Sequence, residues 1–341
     1  MFIGSIENSE VSFLIVPTPS NKDGKFINDY LEVAIESIVL NTKSSNHLIC
    51  IVSTVMPGTC EYFISNFIPN LVSKSVTKFE IAYCPEFVAL GTVIENMQFP
   101  DMILIGAKNE VSMNTLEPIL KSITSSNPVV KKMSLSSAEL AKISVNTFVT
   151  AKISYANMIA EIAESIPGAE KYEILDALGA DTRIGAKYLK PGLGFGGPCF
   201  PRDNKAFSII GNTLNIETEL AKATHAINIR QPRISAERIN SRFLSRYNKV
   251  TVLGLSYKPG SFVTEESQSV MLIKELSHDW SQIYVHDPLV KTDSLFTGLN
   301  NVCNIENISL IKDSDLVVIA VNWSEYSGFI NLHPKENLYF V

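Results

Sequence analysis

The chain has 341 residues, of which 45% are hydrophobic and 19% charged, and its formal net charge is −6. The length favours two domains with a connector, and the composition is that of an ordered globular protein. The acidic balance argues against a general nucleic-acid-binding surface, and no apolar run reaches the roughly 18 residues of a membrane span.

The first third of the chain alternates between predicted strands and helices. Short apolar runs that end at Pro, Ser or Gly predict strands, and apolar residues at helical spacing predict helices. Strands are predicted at residues 11–16, 47–53, 79–83 and 102–105, with a helix at residues 29–41. Elements that alternate at this spacing predict a mostly parallel, doubly wound sheet.

Residues 136–165 contain neither Gly nor Pro, and their apolar residues recur at helical spacing, so we predict one long helix. Ser136 and Glu139 have the spacing of a capping box at its start. Further strands are predicted at residues 250–254, 283–286, 315–321 and 339–341. The chain is therefore predicted to fold as two α/β domains joined by a long helix.

One segment of the chain is unusually rich in glycine. Gly192, Gly194, Gly196 and Gly197 closely precede Cys199. Because glycine has no Cβ, such a loop can wrap closely around a ligand, and a cysteine at its end would face that ligand. The alternative is a flexible loop beside an inert, buried thiol, since most unpaired cysteines are of that kind.

The cysteines also indicate the cellular compartment. There are five, an odd number without paired spacing, which suggests neither a disulfide framework nor a zinc site. The N-terminus lacks the basic and apolar regions of a secretory signal. We therefore expect a cytoplasmic protein, with no bound metal.

Several separated motifs together resemble the UDP-glucose/GDP-mannose dehydrogenase family over nearly the whole chain. Their shared order along the chain is far more specific than any one of them. The matching stretches are Val16-Pro-Thr-Pro-Ser20, Ser53-Thr-Val-Met-Pro-Gly-Thr59, Pro85-Glu-Phe87, Ala138-Glu-Leu-Ala-Lys142 with Asn146, Arg183-Ile-Gly185, the Gly192–Asp203 loop and Gly254-Leu-Ser-Tyr-Lys-Pro-Gly260.

This resemblance implies an α/β fold with two Rossmann-like domains joined by a long central helix. The implied domains are an NAD-binding domain at residues 1–130, a central dimerisation domain with the catalytic loop at residues 131–225, and a UDP-sugar-binding domain at residues 226–341. The implied reaction is an NAD-dependent, four-electron oxidation of the C6 alcohol of a UDP- or GDP-hexose to the uronate, as in polysaccharide biosynthesis. The implied partners are the nucleotide sugar and a second copy of the chain, with neither nucleic acid nor membrane.

The resemblance also implies catalytic roles. Cys199 would capture the aldehyde as a thiohemiacetal, which the second oxidation converts to a thioester. Lys142 and Asn146, at positions i and i+4 of the long helix, would stabilise the developing oxyanion. Asp203 would orient a water or take a proton, although a helix N-cap is the alternative.

Glu86 matches the family's base for thioester hydrolysis, and Thr54 matches a residue that helps to hold water. The same two residues, together with Pro17 and Thr18, are the predicted contacts to NAD. Arg183 matches an arginine that reaches into the neighbouring subunit's site. The other predicted substrate contacts are Tyr188, Lys190, Gly194, Phe195, Gly196 and Lys258.

Two features depart from the family pattern. We predict that the dinucleotide-binding turn G-x-G-x-x-G, with an acidic residue about 20 positions further on, is absent. The chain would then begin near the fourth strand, with a truncated first domain that lacks roughly 70–80 residues and exposes one sheet edge. Leu90 and Glu265 also replace a glutamate and a cofactor-contacting arginine of many members, which we interpret as subgroup differences.

Three functions are compatible with these observations. The first is an NAD-dependent nucleotide-sugar dehydrogenase whose activity as an isolated, incomplete chain is doubtful. The second is a degenerate, catalytically inactive relative that keeps the nucleotide-sugar pocket. The third is a 3-hydroxyacid dehydrogenase with a similar helix layout, but Cys199 argues against it because that chemistry needs no thioester.

Overall fold

The computed structural model describes residues 3–72, 77–292, 294–312 and 315–341. The chain divides into two compact units. One unit extends to Val145 and includes Lys205–Glu217, and the other comprises Asn146–Asn204 and Thr218–Val341. Every helix in the described part of the chain is too short or too polar to cross a lipid bilayer.

The first unit is built on a five-stranded sheet. Its elements in chain order are α1 (Ile3–Glu7), β1 (Val11–Leu14), α2 (Asp29–Asn41), β2 (Asn46–Ile51), α3 (Thr59–Tyr62), α4 (Ile68–Leu71), β3 (Lys78–Tyr83), α5 (Val93–Gln98), β4 (Met102–Ala107), α6 (Glu110–Ser122) and β5 (Val129–Met133). The strand order is β1-β2-β3-β4-β5, and only the β3–β4 pair is antiparallel. The predicted mostly parallel sheet is confirmed.

Both faces of this sheet are buried. Successive side chains of a strand point to opposite faces, so Ile49 and Ile51 of β2 pack in a core with α2, whereas Leu48 and Cys50 pack in a core with α6. Strands that are covered on both faces read as continuous apolar runs, which is the pattern that predicted them. Strand β1 lies at one edge of the sheet and β5 at the other.

The long predicted helix is present as α7 (Leu135–Glu164), and it contributes residues to both units. The predicted capping box is wrong. Ser136 lies inside the helix, and the hydroxyl of Ser134 accepts a hydrogen bond from the Ser137 backbone N–H at 3.3 Å. The Glu139 side chain instead binds the backbone of a different helix.

The second unit contains a five-stranded sheet in which every adjacent pair is parallel. Its remaining elements in chain order are α8 (Lys171–Ala180), α9 (Phe200–Thr213), α10 (Glu219–Phe243), β6 (Lys249–Leu253), α11 (Gln268–Leu276), β7 (Gln282–His286), β8 (Val302–Asn304), β9 (Leu316–Ile319), α12 (Ser327–Leu332) and β10 (Leu338–Phe340). The strand order is β10-β9-β6-β7-β8. The chain thus contains two α/β sheet domains, as the α/β prediction requires, and α9, like α7, contributes residues to both units.

Candidate active site

The predicted NAD contacts lie at one edge of the first sheet. Pro17 and Thr18 follow β1, Thr54 follows β2 and Glu86 follows β3, so all four lie beyond the carboxyl ends of parallel strands. The Thr18 hydroxyl donates to the Thr54 carbonyl at 2.7 Å and joins two of these strand ends. Ligands of open α/β sheets bind at this edge, so these residues fit a nucleotide cofactor.

Lys142 is buried in the first unit, with only 7% of its surface exposed. Its ammonium donates to the Glu86 carbonyl oxygen at 2.6 Å and lies 4.5 Å from the centroid of the Phe87 ring. Burial raises the pKa of the Glu86 carboxyl, and the positive charge of Lys142 opposes that rise. A buried cation with these contacts is held in place, so Lys142 is not a solvated lysine of the helix surface.

Glu139, one turn before Lys142, is fully buried. Its carboxylate accepts hydrogen bonds from the backbone N–H groups of Gly58 at 2.6 Å and Cys60 at 2.7 Å. These N–H groups open α3, so the carboxylate satisfies donors that a helix leaves unpaired at its N-terminus. These hydrogen bonds hold the segment that follows Thr54 in place. Burial raises the pKa of the Glu139 carboxyl, and the two N–H donors lower it in part.

In the second unit, Asn146 and Asp203 are bonded to each other. The Asn146 amide donates to the Asp203 carboxylate at 2.6 Å, and Asp203 is only 1% exposed. Asp203 lies within the first turn of α9, where its backbone N–H donates to the Cys199 carbonyl at 2.8 Å. It therefore does not occupy the N-cap position, and the helix geometry instead couples it to Cys199.

Cys199 lies immediately before α9, and its side chain is exposed. It is close enough to Tyr257 and Lys258 to act on both electrostatically. Burial, followed by the nearby Cys199 side chain, raises the pKa of Tyr257 to about 12. Burial lowers the pKa of Lys258, and the electrostatic influence of Cys199 opposes that change. An accessible thiol beside a lysine contradicts the alternative of an inert, buried cysteine.

The glycine loop, residues 192–197, is closely packed. Gly194 has a φ of +108°, and a Cβ on Gly196 would overlap the Glu266 carbonyl oxygen. Phe195 is buried, and its ring contacts Phe200 edge to face at 6.5 Å between centroids. Glycine is therefore required here for conformation and close approach, so this loop is fixed rather than flexible.

The remaining predicted substrate contacts outside the loop also lie in the second unit. Tyr188 is exposed and packs edge to face against Phe200 at 6.3 Å, and Lys190 is exposed. Arg183 is also exposed, and its guanidinium pairs with Asp181 at 2.6 Å within the same turn. Lys190, two residues before the loop, is therefore accessible to an anionic ligand.

Comparison with known proteins gives matches along most of the chain. The NAD-binding, central and UDP-binding domain models of the UDP-glucose/GDP-mannose dehydrogenase family match residues 2–124, 136–230 and 251–337. The UDP-glucose 6-dehydrogenase AglM of Haloferax volcanii is 31% identical over 95% of this chain and 76% of its own length. The corresponding values for the UDP-glucose 6-dehydrogenase of Rickettsia bellii are 31%, 95% and 74%.

The fold agrees with these matches. A UDP-glucose dehydrogenase structure from Pyrobaculum islandicum superposes with a TM-score of 0.81 at 32% identity, over 96% of this chain and 75% of that one. The chain belongs to the UDP-glucose/GDP-mannose dehydrogenase family. It is an NAD-dependent nucleotide-sugar dehydrogenase, as the motifs predicted.

The family match corrects two expectations. The NAD-binding domain model matches residues 2–124, so the predicted loss of half of that domain is not borne out, and the match argues against a catalytically inactive relative. The predicted absence of G-x-G-x-x-G is also not confirmed. Residues 192–197 have that spacing, and Glu217 follows Gly197 by 20 positions. In the structure this loop follows α8 and precedes α9, so it does not form a strand-to-helix turn.

Several residues at the site escaped sequence reasoning. Glu139 was interpreted as a cap of its own helix, and Asn157, Asn228 and Gln231, which bind the glycine loop, carried no motif. The sequence shows only that Asn228 and Gln231 are three residues apart, so that both would lie on one face of a helix. In the described part of the chain, no group of three or more His, Cys, Asp and Glu side chains could hold a metal ion.

Proposed function

We propose that this chain oxidises the C6 alcohol of a UDP- or GDP-hexose to the uronate through a thioester on Cys199. The observation that carries the proposal is the accessible Cys199 thiol at the start of α9, whose first turn holds Asp203 against Asn146. The Cys199 thiol precedes α9, and the Asp203 carboxylate in the first turn of α9 is hydrogen-bonded to the Asn146 amide, so all three groups lie near the N-terminus of this helix.

The chemistry proceeds in three balanced steps. The alcohol loses a hydride and a proton to give an aldehyde, and the Cys199 thiolate adds to its carbonyl carbon. The thiohemiacetal, whose oxygen has taken up a proton, loses that proton and a second hydride to give a thioester. Water then displaces the thiolate and releases the carboxylate. NAD⁺, when bound, supplies the hydride acceptor for each of the two oxidations.

The chain's own groups meet the charges that develop. Lys142 and Asn146 lie four residues apart on α7 and so project from one helix face, where an ammonium and an amide would stabilise a negative oxygen. Glu86, whose pKa is raised by burial, suits the removal of a proton from the hydrolytic water. Asp203 orients Asn146 and takes part in proton transfer, and Thr54 helps to hold the water.

The substrate would bind around the glycine loop. Lys190 and Lys258 offer cations to the diphosphate, and Gly194, Phe195 and Gly196 supply backbone and an aromatic ring, with Tyr188 beside them. UDP-glucose is the first substrate to test, because two relatives that are 31% identical to this chain carry that name. A GDP-sugar is the second, because a GDP-mannose 6-dehydrogenase from Pseudomonas savastanoi is 27% identical over 98% of this chain.

The cofactor contacts proposed here are Pro17, Thr18, Thr54 and Glu86 at the strand ends of the first sheet. The support is their common edge and the hydrogen bond between Thr18 and Thr54. The three-domain division at residues 1–130, 131–225 and 226–341 and the cytoplasmic location also stay predictions.

We further propose a homodimer that forms through α7. An apolar stripe runs along this helix, and its members are between 45% and 64% exposed. The stripe consists of Phe148, Tyr155 and Ile162, each seven residues from the next, and Ile166 follows just beyond the end of the helix. Exposed apolar residues at this spacing are typical of a helix that pairs with another. Arg183 would then reach the partner's substrate.

The function is tested by incubating the purified chain with UDP-glucose and NAD⁺. We expect two NADH for each uronate formed, and we expect Cys199→Ala to form no uronate while Cys303→Ala, at another exposed cysteine, keeps full activity. A native chain that binds the nucleotide sugar but reduces no NAD⁺ with any UDP- or GDP-hexose would contradict the proposal.

A further inference from the structure

The backbone of the glycine loop is bound by side-chain carboxamides at two positions. The Gly192 N–H donates to Asn157 Oδ1 at 2.8 Å, and the Gly192 carbonyl accepts from Gln231 Nε2 at 3.0 Å. The Phe195 N–H donates to Asn228 Oδ1 at 2.8 Å, and the Phe195 carbonyl accepts from Asn228 Nδ2 at 2.9 Å. All four backbone polar groups of these two residues are therefore bonded to side chains.

The three carboxamides are buried, with Asn157, Asn228 and Gln231 exposed by 1%, 4% and 3%. A carboxamide carries one donor group and one acceptor, as a peptide does, so it can replace a neighbouring strand. Leaving a buried donor or acceptor without a partner costs about 1–3 kcal/mol, which makes these contacts selective for one loop position. Asn157 comes from α7, and the other two come from one face of α10.

The three carboxamides of Asn157, Asn228 and Gln231, called the clamp below, also fit the shape of the loop. Gly194 lies between the two bonded positions with a φ of +108°, and a Cβ there would overlap Asn228 Oδ1. The loop backbone and the Asn228 side chain therefore approach as closely as atoms allow. Cys199 follows Phe195 by four residues, so a shift of the loop would move the thiol.

We infer that Asn157, Asn228 and Gln231 are positioning residues, which hold the glycine loop so that the Cys199 thiol meets the sugar carbon. The inference rests on the proposed role of Cys199 as nucleophile. A displacement of about 1 Å at a reacting atom lowers a rate on the order of 100-fold, so a small loosening of the loop has a large effect.

The test compares Asn228→Leu with Asn240→Leu. Asn240 lies on the same helix and its amide also makes two hydrogen bonds, to Asp279 and Trp280, but these do not involve the loop. For Asn228→Leu we expect kcat to fall about 10- to 100-fold with a smaller change in KM. We also expect the Phe195 amide hydrogen of the Asn228→Leu chain to exchange faster than that of the native chain, with both chains measured in the folded state. Asn240→Leu should leave both values near those of the native chain.

Asn228→Asp supplies a readout that loss of packing alone would not give. The carboxylate keeps an acceptor for the Phe195 N–H but has no donor for the Phe195 carbonyl. Protonation restores an O–H donor, so the ratio of variant kcat to native kcat should rise as the pH is lowered. A ratio that does not change with pH would count against the hydrogen-bonding role.

The possible results separate this inference from the proposed function. Exchange at Phe195 that matches Asn240→Leu overturns the clamp whatever the activity, and faster exchange with unchanged kcat overturns the positioning role. Faster exchange with lowered kcat supports both the clamp and the positioning role. If the native chain oxidises no nucleotide sugar, the proposed function fails together with the positioning role, and hydrogen exchange still tests the clamp.

Discussion

The Asn146 amide donates to the Asp203 carboxylate at 2.6 Å. This bond joins the long helix α7 to the first turn of α9, the helix that begins directly after Cys199. A hydrogen bond from an amide to a buried carboxyl group at this distance is a close one, so we treat the two side chains as one unit. Removing Asp203 leaves the Asn146 amide without this acceptor, and removing Asn146 leaves Asp203 Oδ2 without this donor, while Arg202 contacts Asp203 Oδ1 at 3.4 Å.

Substitutions of these two residues are therefore expected to have non-additive effects on kcat/KM. Asn146→Ala and Asp203→Ala should each lower kcat/KM on the order of 100-fold, and the double variant should lose little more than either single one. The control is Asn240 with Asp279, which form a bond of the same kind, also at 2.6 Å. Substitutions there should leave kcat/KM unchanged. Multiplicative losses for Asn146 and Asp203 would show that they act independently.

Glu86 is expected to set the acid side of the pH profile. Burial raises the pKa of its carboxyl, with Lys142 in opposition, and a general base works only when ionised. The turnover rate should therefore fall as the pH decreases through a value above the ordinary pKa of 4.5. Steady-state rates measured across the acidic range test this.

Glu86→Gln should remove that acid limb and lower turnover about 100- to 10,000-fold, because thioester hydrolysis loses its base. A burst of two NADH for each chain should remain, since both oxidations precede hydrolysis. Glu95→Gln, at an exposed glutamate of α5, is the matched control and should keep the native profile. An unchanged acid limb in Glu86→Gln would assign that limb to another group.

Glu139 is expected to stabilise the first unit. Glu139→Ala removes the acceptor of the Gly58 and Cys60 N–H groups, and each buried donor without a partner costs about 1–3 kcal/mol. Denaturant unfolding should show the corresponding loss in the free energy of unfolding. Glu117→Ala, at a partly exposed carboxylate paired with Lys121 and Lys132, should have little effect. Equal stability of Glu139→Ala and the native chain would mean that water replaces the carboxylate.

The apolar stripe on α7 is expected to hold two copies of the chain together. A charge placed in a buried apolar interface is costly, so Phe148→Glu combined with Ile162→Glu should give a monomer in analytical ultracentrifugation. Leu332→Glu, at an 86% exposed leucine of α12, should leave the mass unchanged. A dimer that persists in the double variant, or a native chain that is monomeric, would contradict pairing through this stripe.

The elements that the sequence predicted best are those with strong local patterns. The helix predicted at residues 29–41 is α2 (Asp29–Asn41), and the strands lie within a few residues of their predicted bounds because buried parallel strands are continuous apolar runs. The glycines before Cys199 predict a close backbone approach, and the resemblance of the surrounding motifs to the family gives that cysteine its predicted role. Such patterns are local in sequence.

The contacts that sequence could not predict join residues far apart in the chain. Glu139 and Gly58 are separated by 81 positions, so the glutamate fitted a capping box equally well until its partner was known. Asn228 is 33 positions from Phe195, and an asparagine in a polar helix carries no mark of such a role. Side-chain bonds to a distant backbone depend on tertiary packing, which periodicity does not encode.

The most direct test of the account is peptide mass spectrometry of the Glu86→Gln chain after incubation with the nucleotide sugar and NAD⁺ and an acid quench. We predict a uronyl adduct on the peptide that contains Cys199, which hydroxylamine removes, as it removes thioesters. Formation of free uronate with an unmodified Cys199, or an adduct at a different residue, would contradict the account.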